Sequence, residues 1–287
     1  MFRYSVSSYS FDQAIRAGKM TQFDCIAKAK EMGFDAVEFT EIAGADHAEQ
    51  CKNARAYRVE AARVGIAISS YVVGAALCRE TDEEVAAEVA RLKKEVDLCA
   101  LLGAGIFRHD VCPSLGKHGR MRSFDAMLPT IAAAAREVTA YAAEQGIRTC
   151  TENHGYVAQD SDRVERLFNA VAHDNYGLLV DVGNFICADE DPLRAVSRVA
   201  PYAVHVHVKD MVLGDRAAGS GSFTRAGVPF CGAVLGEGDV PVAACLRAVR
   251  RAGYEGYVTL EYEAPEECLS GIARGFENLR RMADALN

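Results

Sequence analysis

The sequence has no apolar stretch near the roughly 20 consecutive residues that a membrane-spanning helix needs. Its first residues lead directly into a strand-like segment, without the charged region, apolar block and small-residue cleavage site of a secretory signal. We therefore expect a cytoplasmic protein with no membrane partner.

The sequence also lacks paired cysteines. None of its 10 cysteines belongs to a CxxC motif, and most stand singly within apolar segments. Disulfide frameworks and structural zinc sites depend on regular cysteine spacings. We therefore expect buried free thiols.

An excess of positive charge is missing as well. The chain has 32 Lys and Arg against 40 Asp and Glu, a net charge of -8, and its pI is near 5.5. An acidic chain without a local basic patch repels a phosphate backbone. Nucleic acid is therefore not an expected partner.

What the sequence does contain is a regular alternation of strand-like and helical segments. The alternation recurs eight times along 287 residues, at intervals of roughly 35 residues. The predicted strands cover 3–8, 36–39, 66–71, 105–108, 147–152, 176–181, 203–208 and 257–262. The predicted helices cover 23–32, 48–64, 81–102, 124–144, 161–172, 192–199, 240–252 and 271–286. This pattern predicts an α/β protein with one domain, residues 1–287, folded as a (β/α)8 TIM barrel.

The segment between the seventh strand and the next helix does not follow this pattern. Residues 210–239 are rich in glycine and have no helical periodicity. We expect a long irregular loop at this place, and such loops are usually functional or mobile. A lid over the substrate and a plain surface insertion both remain open.

Four of the predicted strands have, at or near their C-terminal ends, residues of types that commonly bind metals. Glu152, Asp181, His207 and Glu261 end the fifth, sixth, seventh and eighth strands. In a closed parallel barrel, the C-terminal ends of the strands surround one pocket. The alternation of polar and apolar residues points Asp181, His207 and Glu261 into the barrel. We therefore predict that these four residues form one divalent-metal site.

The ligand set indicates a type of chemistry. Three carboxylates and one imidazole favour Mn²⁺, with Mg²⁺, Co²⁺ or Zn²⁺ as alternatives. Four protein ligands leave two octahedral positions for a carbonyl oxygen and a neighbouring hydroxyl of a substrate. The metal would acidify the α C–H bond, and a carboxylate would remove and return the proton. This chemistry predicts an isomerase or epimerase that acts through a metal-bound enediolate.

Further polar residues near the strand ends are candidates for substrate binding. His154 follows the fifth strand, Lys209 follows the seventh, and Glu38 and Arg108 end the second and fourth strands. Each has a structural alternative, such as a position at the barrel rim or a salt bridge. His205 is expected to form a hydrogen bond behind the metal ligands rather than to bind metal.

Several motifs together resemble the xylose isomerase-like TIM barrel superfamily, which includes sugar phosphate isomerases, ketose 3-epimerases and inosose dehydratase. The motifs are Thr-Glu-Asn-His-Gly at 151–155, Asp-Val-Gly-Asn at 181–184, His-Val-His-Val-Lys-Asp at 205–210 and Gly-Glu-Gly-Asp at 236–239. The resemblance implies that Glu152, Asp181, His207 and Glu261 bind the metal. It also implies that Glu152 and Glu261 transfer protons on a sugar, sugar phosphate or polyol.

Alternatives to an isomerase or epimerase stay open. A dehydratase or lyase on a sugar or inositol-type substrate would use the same acidified C–H bond. An endonuclease IV-like phosphodiesterase needs further histidines, but Asn184 stands three residues after Asp181 and no histidine follows His207. A noncatalytic binding subunit would not need the intact ligand set. The sequence also leaves a homo-oligomer open.

Overall fold

Eight parallel strands form a closed barrel in the computed structural model, which describes residues 2–286. Barrel strands that follow one another along the chain are neighbours in the barrel, and the last barrel strand pairs with the first. The barrel strands are β1 (Arg3–Ser7), β2 (Ala36–Thr40), β3 (Ala67–Val73), β4 (Ile106–His109), β5 (Arg148–Glu152), β6 (Tyr176–Asp181), β7 (Ala203–Val208) and β11 (Tyr257–Leu260). The predicted TIM barrel is confirmed, and its strand boundaries agree to within about two residues.

Helices on the outside of the barrel connect the strands. They are α1 (Asp12–Arg16), α2 (Asp24–Glu31), α3 (His47–Val64), α4 (Asp82–Leu102), α5 (Phe124–Glu144), α6 (Ser161–Val171), α7 (Pro192–Val199), α8 (Val242–Arg251) and α9 (Cys268–Asp284). Only the short α1 was not expected. Thr81 and Glu84 form a capping box at the start of α4, and Gly65 ends α3 in the left-handed conformation that glycine tolerates, with φ 69°.

The segment after β7 corrects one expectation, because it is not an irregular loop. Strands β8 (Asp210–Leu213), β9 (Ser222–Phe223) and β10 (Pro229–Ala233) form an antiparallel sheet in the order β8-β10-β9. We call residues 210–239 the insertion. The Asp210 carboxylate fixes its base by accepting hydrogen bonds from backbone N–H groups. The donors are Met211, Gly236, Gly238 and Val240.

The far end of the insertion is attached to the loop after β5. Arg225 Nη1 lies 2.6 Å from Asp160 Oδ2, and Arg225 Nε donates to the Tyr156 carbonyl at 2.8 Å. The Tyr156 hydroxyl in turn donates to the Phe223 carbonyl at 2.8 Å. The insertion therefore runs from the end of β7 to the C-terminal ends of neighbouring strands.

The two faces of the barrel strands differ in polarity. On β7, Val206 and Val208 are fully buried against the hydrophobic core, whereas His205 and His207 belong to a polar cluster within the barrel. Within residues 2–286, no helix is at once long enough and apolar enough to cross a membrane. All ten cysteines are free, and eight of them are buried.

Candidate metal centre

The structure brings the four predicted metal ligands together. Glu152, Asp181, His207 and Glu261 each offer one atom, and these atoms lie within 4.8 Å of one another. Strand register explains the convergence, since Asp181 is the partner of His207 between β6 and β7. Glu261 follows β11, two residues after Thr259, the partner of His207 on the other side.

A contact with Glu38 fixes the orientation of the His207 ring. Its Nε2 lies 2.9 Å from Glu38 Oε2, and its Nδ1, which has no hydrogen-bond partner, is 4.0 Å from both Asp181 Oδ2 and Glu261 Oε2. Glu38 is fully buried and also contacts His205 Nε2 at 3.1 Å. The structure therefore places Glu38 behind the cluster, as its structural alternative requires, and its contact with a substrate stays a prediction.

Asp181 presents one oxygen to the cluster and the other to the backbone. Its Oδ1 accepts hydrogen bonds from the N–H groups of Gly183 and Asn184 at 2.7 and 3.0 Å, whereas its buried Oδ2 has no hydrogen-bond partner. Two buried atoms without hydrogen bonds, Asp181 Oδ2 and His207 Nδ1, thus face the same point. Such atoms are costly unless a cation satisfies them. The Lys209 ammonium lies 3.3 Å from Asp181 Oδ2, but His207 Nδ1 has no partner, and the ligand set fits a divalent ion.

Glu152 is held at both of its oxygens. Arg108 Nη2 lies 2.7 Å from Glu152 Oε2, and Asn184 Nδ2 donates to Glu152 Oε1 at 2.8 Å. The same Arg108 nitrogen lies 2.7 Å from Asp110 Oδ1, and the arginine is only 7% exposed. Arg108 therefore lies in a buried ion pair with Glu152, as its structural alternative requires, and its contact with a substrate stays a prediction.

Lys209 lies on the side of the cluster opposite Glu38. Its Nζ is 2.6 Å from Glu261 Oε2 and 3.3 Å from both Asp181 Oδ2 and Glu263 Oε1. A Cβ added at Gly183 would lie 2.7 Å from Lys209 Cγ, so the glycine leaves room for this side chain. Lys209 therefore neutralises the carboxylates at the edge of the cluster.

Burial and neighbouring charges shift the ionisation of the cluster. Burial raises the pKa of Asp181 to about 6, although the Lys209 ammonium opposes this shift. Burial disfavours a charged His207, but the Glu38 carboxylate outweighs it and raises the pKa of His207 to about 10. Burial also opposes ionisation of Glu261, yet Lys209 overrides it and lowers the pKa of Glu261. A metal ion bound here would displace a proton from His207.

Two neighbouring residues complete the surroundings of the predicted ligands. His154 is half-exposed, and its Nδ1 lies 3.0 Å from Asp110 Oδ1. Burial disfavours the charged ring, but the hydrogen bond with Asp110 prevails and raises the pKa of His154. Asn153 holds the backbone of Asp181 through its side-chain amide, at 2.8 and 2.9 Å.

Sequence analysis did not identify Asp110 or the supporting role of Asn184. Asp110 follows β4 directly, so its position at a strand end was an available signal. Asn184 lies within the Asp-Val-Gly-Asn motif, but spacing alone does not show that its amide reaches Glu152 on another strand.

A cavity of about 620 Å³ lies beside the cluster, between the insertion and the loops after β1 and β11. Tyr9, Gln13, Phe230 and Glu263 are among its lining residues. Glu263 also lies 3.3 Å from Lys209 Nζ, so the cavity is next to the Lys209 edge of the cluster.

Sequence comparison defines the class of protein. The family model described as xylose isomerase-like TIM barrel matches residues 26–283. The chain therefore belongs to this family, which contains isomerases, epimerases and dehydratases.

Two relatives show what the chain is similar to in sequence. The rhizopine catabolism protein MocC of Rhizobium meliloti is 33% identical over 222 residues, which cover 71% of this chain and 67% of MocC. An inosose dehydratase of Clostridium perfringens is 26% identical over 142 residues, which cover 47% of this chain and 46% of the dehydratase. The match thus spans about half the length of the dehydratase.

Solved structures share the fold over the whole chain. A xylose isomerase-like TIM barrel protein from Mycobacterium smegmatis, in complex with magnesium, has a TM-score of 0.70 at 20% identity and covers 100% of this chain and 98% of that chain. An L-ribulose 3-epimerase has a TM-score of 0.71 at 17% identity, with coverage of 100% and 98%. At these identities, the likeness shows the fold alone.

Proposed function

We propose that this protein is a divalent-metal-dependent enzyme that removes the proton next to a carbonyl group of a sugar or polyol. The observation that carries the proposal is the convergence of four ligand atoms, two of which are buried without hydrogen bonds. Glu152, Asp181, His207 and Glu261 would hold one ion, with Mn²⁺ as the first candidate. The ion would supply Lewis-acid polarisation of the substrate carbonyl, which acidifies the adjacent C–H bond.

Glu261 is the best-placed base. Its side chain is 12% exposed, the most among the four predicted ligands, and its Oε2 lies 2.6 Å from Lys209 Nζ. Glu152 is less free to approach a substrate proton, because Arg108 and Asn184 hold its two oxygens. Glu261 therefore removes the α proton, and the Lys209 ammonium is positioned to donate a proton to an oxygen of the substrate.

One base beside one acid supports dehydration of a polyol ketone. The base takes the α proton, and the acid protonates the β-hydroxyl group that leaves as water. The name of the inosose dehydratase relative points to the same class of substrate. We therefore propose a cyclic keto-polyol, of the inosose type, as the substrate class.

Isomerisation or epimerisation is the second candidate. It is favoured by the presence of two carboxylates, Glu152 and Glu261, in one cluster, since a proton removed by one can be returned by the other or by the same group. The dehydration proposal differs in requiring Lys209 to act as an acid.

Incubation with Mn²⁺ and a panel of inososes and ketoses in deuterated water separates these candidates. We expect a product that has lost one water, seen by NMR and mass spectrometry. A product that keeps the substrate's composition and gains one deuterium would establish the second candidate instead. If the metal-loaded enzyme left every keto-polyol and ketose with neither loss of water nor deuterium uptake, the proton-abstraction proposal would be wrong.

A further inference from the structure

Two buried cysteines meet outside the candidate metal centre, on the loops after β3 and β4. The Cys78 N–H donates to the Val111 carbonyl at 3.1 Å, so the two chain segments lie side by side where Cys112 begins. Cys112 Sγ lies 3.2 Å and Cys78 Sγ 4.0 Å from the same acceptor, the Ser114 carbonyl oxygen. The two cysteines are 3% and 2% exposed.

We propose that Cys78 and Cys112 form a reversible disulfide when the folded protein meets a peroxide. A disulfide joins two residues whose Cα atoms are about 4.4–6.8 Å apart. This separation is typical of two chain segments joined by a backbone hydrogen bond, as Cys78 is to Val111, the residue before Cys112. Because both sulfurs already approach one carbonyl oxygen, side-chain rotation is enough to bring them into contact. The fold does not have to open for the bond to form.

The surroundings make Cys78 the attacking sulfur. The hydrogen bond with Cys112 lowers the pKa of the Cys78 thiol against the effect of burial, and Arg79 contributes in the same direction. The same hydrogen bond, together with burial, raises the pKa of the Cys112 thiol. The more acidic thiol is the better source of thiolate, which is the nucleophile.

The chemistry balances with one hydrogen peroxide for each disulfide. The Cys78 thiolate attacks one peroxide oxygen and breaks the O–O bond, which gives a sulfenic acid and, after protonation, one water. The Cys112 sulfur then attacks the sulfenic sulfur, and the hydroxyl group leaves as a second water with the Cys112 proton. The two thiols are oxidised by two electrons, and the peroxide is reduced to two waters.

Another pair of buried cysteines offers a comparison. Cys99 Sγ and Cys150 Sγ donate to different carbonyls, those of Ala104 at 3.5 Å and Phe107 at 3.9 Å. These contacts do not direct the two sulfurs towards a common atom. We expect this pair to stay reduced while Cys78 and Cys112 react.

Peptide mapping of peroxide-treated protein tests the proposal. Folded protein is treated with hydrogen peroxide, its remaining thiols are alkylated, and it is digested without reductant. We expect one cross-linked peptide pair that joins Cys78 to Cys112, two hydrogens lighter than the reduced pair, and its loss after dithiothreitol. The variant Cys51→Ser, a half-buried cysteine on α3, serves as the control and should form the same link.

Two further measurements keep the test independent of a single variant. In Cys112→Ser, dimedone should label Cys78 as a trapped sulfenic acid after peroxide treatment. In the wild type, the oxidised protein should melt at the same or a higher temperature than the reduced protein. The proposal is overturned if Cys78 and Cys112 both stay alkylatable while other cysteines oxidise, or if the link forms only after unfolding in guanidinium.

Discussion

The orientation of one histidine ring decides whether the candidate metal centre can work. Glu38 occupies His207 Nε2 and leaves Nδ1 directed at Asp181 and Glu261. A carboxylate behind a metal-binding histidine fixes the ring and increases its affinity for the ion. Glu38 is itself held by the Ser70 hydroxyl, which donates to it at 2.6 Å. This support is internal to the barrel and does not depend on substrate.

Glu38→Gln should weaken Mn²⁺ binding about 10- to 100-fold, because the ring loses its charged partner. Calorimetric titration of chelator-stripped protein measures the affinity. Glu277→Gln is the matched control, since Glu277 is exposed on α9, and it should bind as the wild type does. Equal affinities for Glu38→Gln and the control would contradict the role assigned to Glu38.

Lys209→Met should separate the two halves of the proposed reaction. Removing the ammonium takes away the acid but leaves Glu261, so α-proton exchange with deuterated water should persist while loss of water falls by about 10²-fold or more. NMR follows both processes in one sample. A variant that still dehydrates at the wild-type rate would show that another group supplies the proton.

His109 makes the free energy of unfolding depend on pH between about pH 6.5 and 4. Burial lowers the pKa of His109 to about 4 from its usual 6.5, so the unfolded chain binds this proton between pH 6.5 and 4 and the folded chain does not. The resulting stability is complete above pH 6.5 and decreases as the pH falls towards 4. From pH 7 to 5, the loss is about 2 kcal/mol.

The variant His109→Gln should therefore lose about 2 kcal/mol less stability than the wild type between pH 7 and 5. Urea denaturation at the two pH values gives the difference directly. Any uniform destabilisation by the substitution cancels in this comparison. Equal losses in both proteins would mean that His109 is not neutral in the folded state.

Strand parity explains which site residues could be predicted from the sequence. The alternation along β6 and β7 correctly pointed Asp181 and His207 into the barrel. Parity does not show, however, how deep a side chain lies along the barrel axis. It therefore could not show that Glu38 lies behind His207. It also cannot show that Arg108 and Glu152 on neighbouring strands form an ion pair.

At the scale of elements, the insertion is what sets this barrel apart from a plain alternation of strands and helices. Its three strands are only two to five residues long and are separated by glycine-rich turns. None of them is long enough to show a recognisable alternation of polar and apolar residues. Most barrel strands were predictable because helices with clear start and stop signals follow them, as α3 follows β2 and α4 follows β3. The pairing of β8 with β10 depends on contacts distant in sequence.

Arg225→Ala should loosen the far end of the insertion, because it removes the Asp160 ion pair and the contact with the Tyr156 carbonyl. Amide hydrogen exchange at β9 should accelerate about tenfold or more, whereas β8 stays protected because the Asp210 hydrogen bonds are intact. Mn²⁺ affinity should not change. Arg247→Ala, an exposed arginine on α8, is the control, and similar exchange at β9 in both variants would argue against this anchor.

At the scale of the whole molecule, barrel closure gives the cluster its geometry. β11 pairs with β1 and β7 at once, so the end of β11, and with it Glu261, cannot move independently of His207. The four predicted ligands thus come from four strands fixed by one continuous hydrogen-bonded sheet. A closed barrel of this kind presents a preformed site to an ion.

The central claim is that Glu152, Asp181, His207 and Glu261 hold one divalent ion. Crystals of the Mn²⁺-loaded protein, measured for anomalous scattering at the manganese edge, test this claim most directly. We predict one strong peak about 2.0–2.3 Å from His207 Nδ1 and from an oxygen of each carboxylate, with the Lys209 ammonium displaced from its place beside Glu261. A manganese peak at other residues, or a Lys209 that keeps its 2.6 Å contact with Glu261 while no ion lies among the four ligands, would contradict it.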